Sequence, residues 1–241
     1  LCNTEWTRLS EPRLFDYIDF CCIGAAFESL ENIILYYDSK KKINEIYNCY
    51  YRVGDKVLIN NKPNSPQKNI LVSTAGLNRQ SYFSIMDNPV APIYFWTTHY
   101  WNKITIADGC YWAKCTFCDT ALPYISDFSA NSIDAIITNI RITSEFSNSR
   151  LFHFTDEAAP PALLKKLAER IIFDKLRISY FTNIRFDKQY TKNFAELLAA
   201  SGCVCVTGGL ETVTTPSLKL LNKGFTCEDA IRAICNLSEA G

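Results

Sequence analysis

Cys110, Cys115 and Cys118 stand in one twelve-residue stretch, Gly-Cys-Tyr-Trp-Ala-Lys-Cys-Thr-Phe-Cys-Asp-Thr, with the spacing C-x4-C-x2-C. Three thiolates this close in sequence can ligate three irons of a cuboidal iron–sulfur cluster and leave the fourth iron open to another ligand. Iron with an open position can do chemistry as well as carry electrons. A zinc site is the alternative, and a structural zinc takes four ligands. The two histidines are His99 and His153. His153 falls inside an apolar, strand-like run and reads as a core residue. His99 precedes the cysteine loop and stays open as a fourth ligand.

Such a site needs elements that carry further polar groups to the same place. From Ile104 onward, short apolar runs alternate with stretches of helical spacing: strands over 104–107, 151–154, 176–184 and 203–207, helices over 132–142, 160–173, 191–200 and 226–240. Pro160 opens the second helix where a missing N–H does no harm, Gly202 closes the third, and Thr226 is placed to cap the fourth. This alternation predicts a parallel sheet of βαβ units, in which a site forms at the carboxyl ends of the strands. Four such units do not close a barrel. After the cysteine loop, those ends carry Thr155-Asp156-Glu157-Ala158, Asn183-Ile184-Arg185-Phe186-Asp187 and Gly208-Gly209-Leu210-Glu211-Thr212. Each run alone has an ordinary reading. Asp156-Glu157 suits a helix N-terminus, and Arg185 with Asp187 suits a surface ion pair. Their convergence on the rim that holds three cysteines favours a ligand site.

Upstream, residues 14–24 read as a buried strand ending at Gly24. Phe27–Tyr37 reads as a helix with Phe27, Leu30, Ile33, Ile34 and Tyr37 at helical spacing. Residues 46–59 read as two strands meeting at a Gly54-Asp55 turn, and 60–69, with Pro63 and Pro66, as linker. Lys40-Lys41-Lys42 is a solvated loop. Hydrophobic residues make up 48%, enough for a core, and 25 basic residues balance 25 acidic ones. That balance sets up no field favouring a nucleic-acid or membrane partner, and no stretch is long and apolar enough to span a bilayer. The 11 cysteines are odd in number and scattered through apolar runs, which fits a reduced, cytoplasmic protein better than a secreted disulfide scaffold. Cys21, Cys22, Cys203, Cys205 and Cys235 read as small hydrophobes. One internal methionine, Met86, and no signal peptide predict a piece of a longer polypeptide.

The run from Gly109 to Asp119 resembles the cluster loop of radical S-adenosylmethionine enzymes, in the variant with four residues between the first two cysteines. It is most similar to the subgroup with an N-terminal cobalamin-binding domain. The likeness continues through Phe152–Ala158 with Pro160-Pro161, Arg185-Phe186-Asp187, Gly209–Thr212 and Lys223-Gly224, and back to Leu14–Asp19 and Tyr51–Ile59. It implies an α/β fold: a partial (βα) barrel of about four βα units over 99–241, truncated at its C-terminus. Before it would come a linker over 61–98 and, over 1–60, the C-terminal end and hairpin of a Rossmann-like cobalamin-binding-type domain.

The resemblance also implies roles. Cys110, Cys115 and Cys118 would hold a 4Fe–4S cluster whose open iron binds S-adenosylmethionine, and reductive cleavage would yield a 5′-deoxyadenosyl radical. Phe117 would lie by the adenine. Asp156 and Glu157 would receive the methionine ammonium, Arg185 the carboxylate, and Glu211 the ribose hydroxyls, while Gly208 and Gly209 let the ligand approach. Cobalamin would be a further cofactor. A small-molecule or peptide substrate and an electron donor such as flavodoxin or ferredoxin would be the partners. C-methylation or modification of a peptide or natural product would be the reaction. Two departures stand out. Gly24-Ala25-Ala26-Phe27-Glu28 replaces a Gly-Glu-Gly-Glu run, and Asp108-Gly109 replaces Arg-Gly, which removes a cation beside the cluster. They motivate the alternative of a non-catalytic zinc- or cluster-binding module of the same fold.

Overall fold

The computed structural model describes residues 12–23, 26–62, 76, 101–120 and 122–241. Gly24, Ala25, His99 and most of the 61–98 linker lie outside the described residues. Two compact units are present, Leu1–Gln67 with Ala121–Asp127, and Lys68–Thr120 with Phe128–Gly241.

In the first unit, strands β1 (Phe20–Cys22), β2 (Cys49–Val53) and β3 (Lys56–Ile59) form an antiparallel sheet in that order. The expected hairpin is present, with Val53 opposite Lys56 and Gly54 at φ +59°, a left-handed turn position that glycine occupies at little cost. Residues 14–24 are not one strand. Pro12–Asp16 is a 3-10 turn, and only Phe20–Cys22 is extended. Arg52 on β2 explains the turn, because its guanidinium donates to the carbonyls of Pro12 and Phe15 and to the Asp16 carboxylate, the last at 2.6 Å.

Helix α1 (Phe27–Tyr37) forms where expected but turns the other way. Its buried residues include Ser29 and Asn32, with Ser29 Oγ donating to the Tyr47 carbonyl at 2.9 Å and Asn32 Oδ1 accepting from Lys41. Phe27, Leu30, Ile34 and Tyr37 are each more than half exposed. Ile33 and Tyr36 pack onto the small core of Phe20, Cys22, Ile46, Cys49 and Tyr51, and the largely exposed Tyr37 meets it edge-on at Phe20, with ring centres 6.2 Å apart. Periodicity finds a helix, and buried hydrogen bonds decide which face goes in. A four-residue helix, α2 (Pro123–Ser126), completes this unit.

The second unit is the parallel sheet. Its strands β4 (Asn102–Ile104), β7 (Leu151–Phe154), β8 (Ser179–Asn183) and β9 (Cys203–Thr207) pair in the order β4-β7-β8-β9. Between them run α3 (Ile133–Ser147), α4 (Pro161–Phe173) and α5 (Lys192–Ala200), and α7 (Cys227–Ala240) follows β9. Side chains cap the helix starts, at Thr226 as expected and at Ser132 and Thr191 as well. Ser132 Oγ accepts from Ala135 N, Thr191 Oγ1 from Phe194 N, and Thr226 forms a capping box with Asp229. A short helix, α6 (Thr215–Leu220), was not expected; Pro216 lies in its first turn.

Alternation along the strands sorts side chains to two faces. Phe152, Phe154 and Tyr180 turn to the helices and meet Ile136, Ile140, Leu164, Leu167, Ile171 and Leu198 in one core. Each such side chain contributes about 1.5–3 kcal/mol. His153 takes the other face, stacked on Phe181 with ring centres 4.0 Å apart, and burial lowers its basicity. It is a sheet residue, as its sequence position suggested.

Candidate functional site

The expected strand over 104–107 breaks, and the break builds the entrance to the cysteine loop. β4 ends at Ile104, and Ala107–Asp108 (β5) pairs instead with Ser129–Ala130 (β6) in a two-stranded antiparallel sheet. Two polar residues hold the step. Asn131 N donates to the Ile106 carbonyl at 3.0 Å, and Asp156 Oδ1 accepts from Ile106 N at 3.1 Å and Ala107 N at 2.6 Å. The Asp156 carboxylate thus sits under the backbone that leads to Cys110. At 1% exposure it is almost wholly buried, and its Oδ2 has no hydrogen-bond partner. Burial pushes its carboxyl up to about 7 against the pull of those backbone N–H groups, with the Asp108 charge adding to the rise. Glu157, next in the chain, is exposed. The two acidic residues therefore part company. Neither lies in the first turn of α4, so the helix-dipole reading falls.

The ten described cysteines are all free thiols, with Cys110, Cys115 and Cys118 half-buried. The Cys118 thiol is pushed up first by burial and then by the charges of Cys115 and Cys110, while Lys223 acts in the opposite direction. Three thiols on one loop at the carboxyl end of a parallel sheet match an iron–sulfur cluster in donor type and number, although their sulfurs are not drawn around one point. Among the described residues no group of three or more His, Cys, Asp or Glu is gathered to hold a metal ion. His153, committed to its stack on Phe181, offers zinc no fourth ligand.

A turn over 220–224, more than a hundred residues away in sequence, clamps this loop. Trp112 Nε1 donates to the Asn222 carbonyl at 2.8 Å, and Asn222 Nδ2 donates to the Lys114 carbonyl at 2.7 Å. Thr116 N donates to the Leu221 carbonyl at 3.1 Å, and Thr116 Oγ1 to the Leu220 carbonyl at 3.3 Å. Gly224, at φ +76°, makes the fit possible, because a Cβ there would overlap Cζ2 and Cη2 of Trp112.

Arg185 is locked between the loop and the turn. It is 6% exposed, so it belongs to no surface ion pair. Its guanidinium lies over Trp112 at 4.2 Å from the ring centre and is flanked by Tyr111 and Phe225. Nη2 donates to the Lys223 carbonyl, whereas Nε and Nη1 are buried without a partner. Asp187 is engaged elsewhere, accepting from Tyr111 Oη at 3.0 Å and from Gln189 N at 3.0 Å. Burial raises the Tyr111 phenol, and Asp187 adds to the effect. An unpartnered buried donor costs about 1–3 kcal/mol. A planar cation with two free N–H groups suits a carboxylate.

The remaining candidates gather around the next side chain of that turn. Lys223 Nζ lies 3.5 Å from Glu211 Oε1, 5.4 Å from the centre of the Phe117 ring and 5.8 Å from that of Phe225. Glu211 takes a left-handed backbone at φ +65°. Gly208 is demanded by packing, since a Cβ would meet the Ile184 carbonyl at 2.6 Å and Phe186 Cε2 at 2.9 Å. At Gly209 a Cβ would meet only the movable Glu211 carboxylate closely. The sequence assigns roles to Phe117, Arg185, Gly209 and Glu211 but none to Tyr111, Trp112 or Lys223. The one signal for the last was the Lys-Gly pair.

No protein-family model matches the chain. Over 114 residues it is 29% identical to bacteriochlorophyllide d C-12(1)-methyltransferase of Chlorobaculum tepidum, a match over 46% of this chain and 25% of that protein. Two solved structures share its fold. The cobalamin-dependent S-adenosylmethionine radical enzyme OxsB, with aqua-cobalamin and S-adenosylmethionine bound, superposes with a TM-score of 0.71 at 17% identity, over 98% of this chain and 34% of that one. The radical S-adenosylmethionine methyltransferase TsrM from Kitasatospora setae, with tryptophan substrate and an S-adenosylmethionine analogue, gives 0.73 at 17% identity, over 95% of this chain and 45% of that one. The chain therefore spans less than half the length of these proteins. Its sheet and helices have the fold of the matching part of the two radical enzymes.

Proposed function

We propose that this chain is part of a cobalamin-dependent radical S-adenosylmethionine methyltransferase. In this reading Cys110, Cys115 and Cys118 hold a 4Fe–4S cluster at the carboxyl rim of the parallel sheet. The observation that carries it is the pairing of three free thiols on one loop with a buried Arg185 that follows β8, packs over Trp112 of that loop and has no partner for Nε and Nη1. When bound, the cluster supplies the electron that breaks a C–S bond of S-adenosylmethionine, and cobalamin supplies a methyl carrier. The chain's own residues bind and orient. Arg185 offers two N–H donors to the methionine carboxylate, Glu211 accepts from ribose hydroxyls, Phe117 covers the adenine, and Gly208-Gly209 keeps the backbone open. Asp156 fixes the start of the cysteine loop through two backbone N–H groups and presents Oδ2 toward the methionine ammonium, with exposed Glu157 beside it. Residues 1–60 would close a cobalamin-binding domain, 61–98 would link, and 99–241 would be the catalytic core. A small-molecule acceptor is favoured by the relatives, two of which are named methyltransferases. An electron donor of the flavodoxin or ferredoxin class would drive turnover.

The test is reductive cleavage of S-adenosylmethionine by the anaerobically reconstituted chain with dithionite. Cleavage that disappears in Cys110→Ala, Cys115→Ala and Cys118→Ala supports the reading. Cleavage retained in any of the three refutes the ligand assignment. A chain that binds zinc and no S-adenosylmethionine is instead a non-catalytic module.

A further inference from the structure

Resting on the function proposed above, we infer that Lys223 is the cation that tunes this site. It orients Glu211 and offsets the negative charge of the cysteine loop. The structure gives the lysine an unusual address. It is 5% exposed, although a lysine is almost never fully buried without a partner. Its ammonium is held against the faces of Phe117 and Phe225, an arrangement that attracts a cation electrostatically. Its one ion-pair partner among the described residues is Glu211, at a loose 3.5 Å. A Cβ at Gly209 would lie 3.6 Å from Nζ, so the charge rests against the backbone of the Gly208-Gly209 run. Phe117, under the ammonium, is the residue before Cys118.

The charge pattern says what such a cation does. Three thiolates with Asp108 and Asp119 outweigh Lys114, the loop's own exposed cation, and make the loop anionic. The buried cations at the 220–224 turn are Arg185, whose Nη2 is bound to the Lys223 carbonyl, and Lys223 itself. Arg185 spends its face on Trp112, whereas the Lys223 ammonium lies over Phe117, the neighbour of Cys118, and its charge acts on that thiol. A buried cation favours the more negative of two states of a neighbouring group, by an interaction that solvent screens little. Lys223 is thus a positioning residue, acting on the cluster through charge and on ligand hydroxyls through Glu211.

The experiment is a redox titration of the reconstituted chain followed by electron paramagnetic resonance, with iron and sulfide counted in each variant. Lys223→Met should fill with cluster as the wild type does. Its reduction equilibrium should fall about tenfold, a midpoint about 59 mV more negative for one electron. Lys223→Arg should stay with the wild type, and Glu211→Gln, which removes a negative charge, should move the midpoint the opposite way. Those opposite signs are what a merely structural role would not produce. Should Lys223→Met fail to fold, the Glu211→Gln shift decides: a positive shift supports the inference, none overturns it. A filled Lys223→Met with an unchanged midpoint overturns this inference and leaves the proposed function standing. A wild-type chain that takes up no cluster overturns both.

Discussion

Gly224→Ala tests the clamp on the cysteine loop most sharply. The position has φ +76°, where a side chain costs about 1–2 kcal/mol. The new methyl would overlap Cζ2 and Cη2 of Trp112, so the indole must leave. Its departure breaks the 2.8 Å hydrogen bond from Nε1 to the Asn222 carbonyl, worth about 1 kcal/mol. It also uncovers the Arg185 guanidinium stacked 4.2 Å from the ring centre, worth about 1–2 kcal/mol where the pair is desolvated. The expected loss is about 3–5 kcal/mol, a large share of the roughly 5–15 kcal/mol that holds a domain together. Urea unfolding followed by circular dichroism reads it as a midpoint lower by about 1.5–2.5 M for a slope near 2 kcal/mol per M. A cycle with Trp112→Ala separates the causes. With the indole gone, Gly224→Ala should cost only the backbone share of about 1–2 kcal/mol. The same cost in both backgrounds would refute the clamp, and so would a single-variant loss below about 1 kcal/mol.

Two further outcomes follow from the buried charges. Because the folded Asp156 carboxyl titrates at about 7 against an ordinary 3.8, the unfolded chain ionises first as pH rises. Stability should therefore fall from about pH 4 to about pH 7 and level off above, by about 1.4 kcal/mol per pH unit at most. Asp156→Asn keeps an oxygen for Ile106 N and Ala107 N and should flatten that slope in urea titrations run across the window; an unchanged slope counts against the assignment. Arg185→Lys keeps the charge but loses the planar fork. It should weaken S-adenosylmethionine binding by about tenfold or more in calorimetry on the reconstituted chain, and equal affinity would remove Arg185 from the site.

Local signals were readable wherever local chemistry decides. The runs at 151–154 and 203–207 became strands at their expected ends, Gly54 turned the hairpin, and Ser132, Thr191 and Thr226 set helix starts. What escaped the sequence depends on partners far along the chain. The strand at 104–107 breaks because Asp156, fifty residues on, captures two of its backbone N–H groups. Helix α1 exposes its apolar stripe because Ser29 and Asn32 have partners at Tyr47 and Lys41. Trp112 meets its acceptor 110 residues away, and no spacing rule reaches that far. The cysteines were legible because their ligand spacing is local, and the role of Lys223 was not, because its site exists only in three dimensions.

The central claim is that Cys110, Cys115 and Cys118 hold a cluster with one iron open to S-adenosylmethionine. Electron paramagnetic resonance of the reduced, reconstituted chain tests it directly, alongside counts of about four iron and four sulfide per chain. The account predicts a cluster signal whose shape changes when S-adenosylmethionine is added and which is lost in each cysteine variant. A signal indifferent to S-adenosylmethionine, or a colourless chain carrying zinc in place of iron, would contradict it.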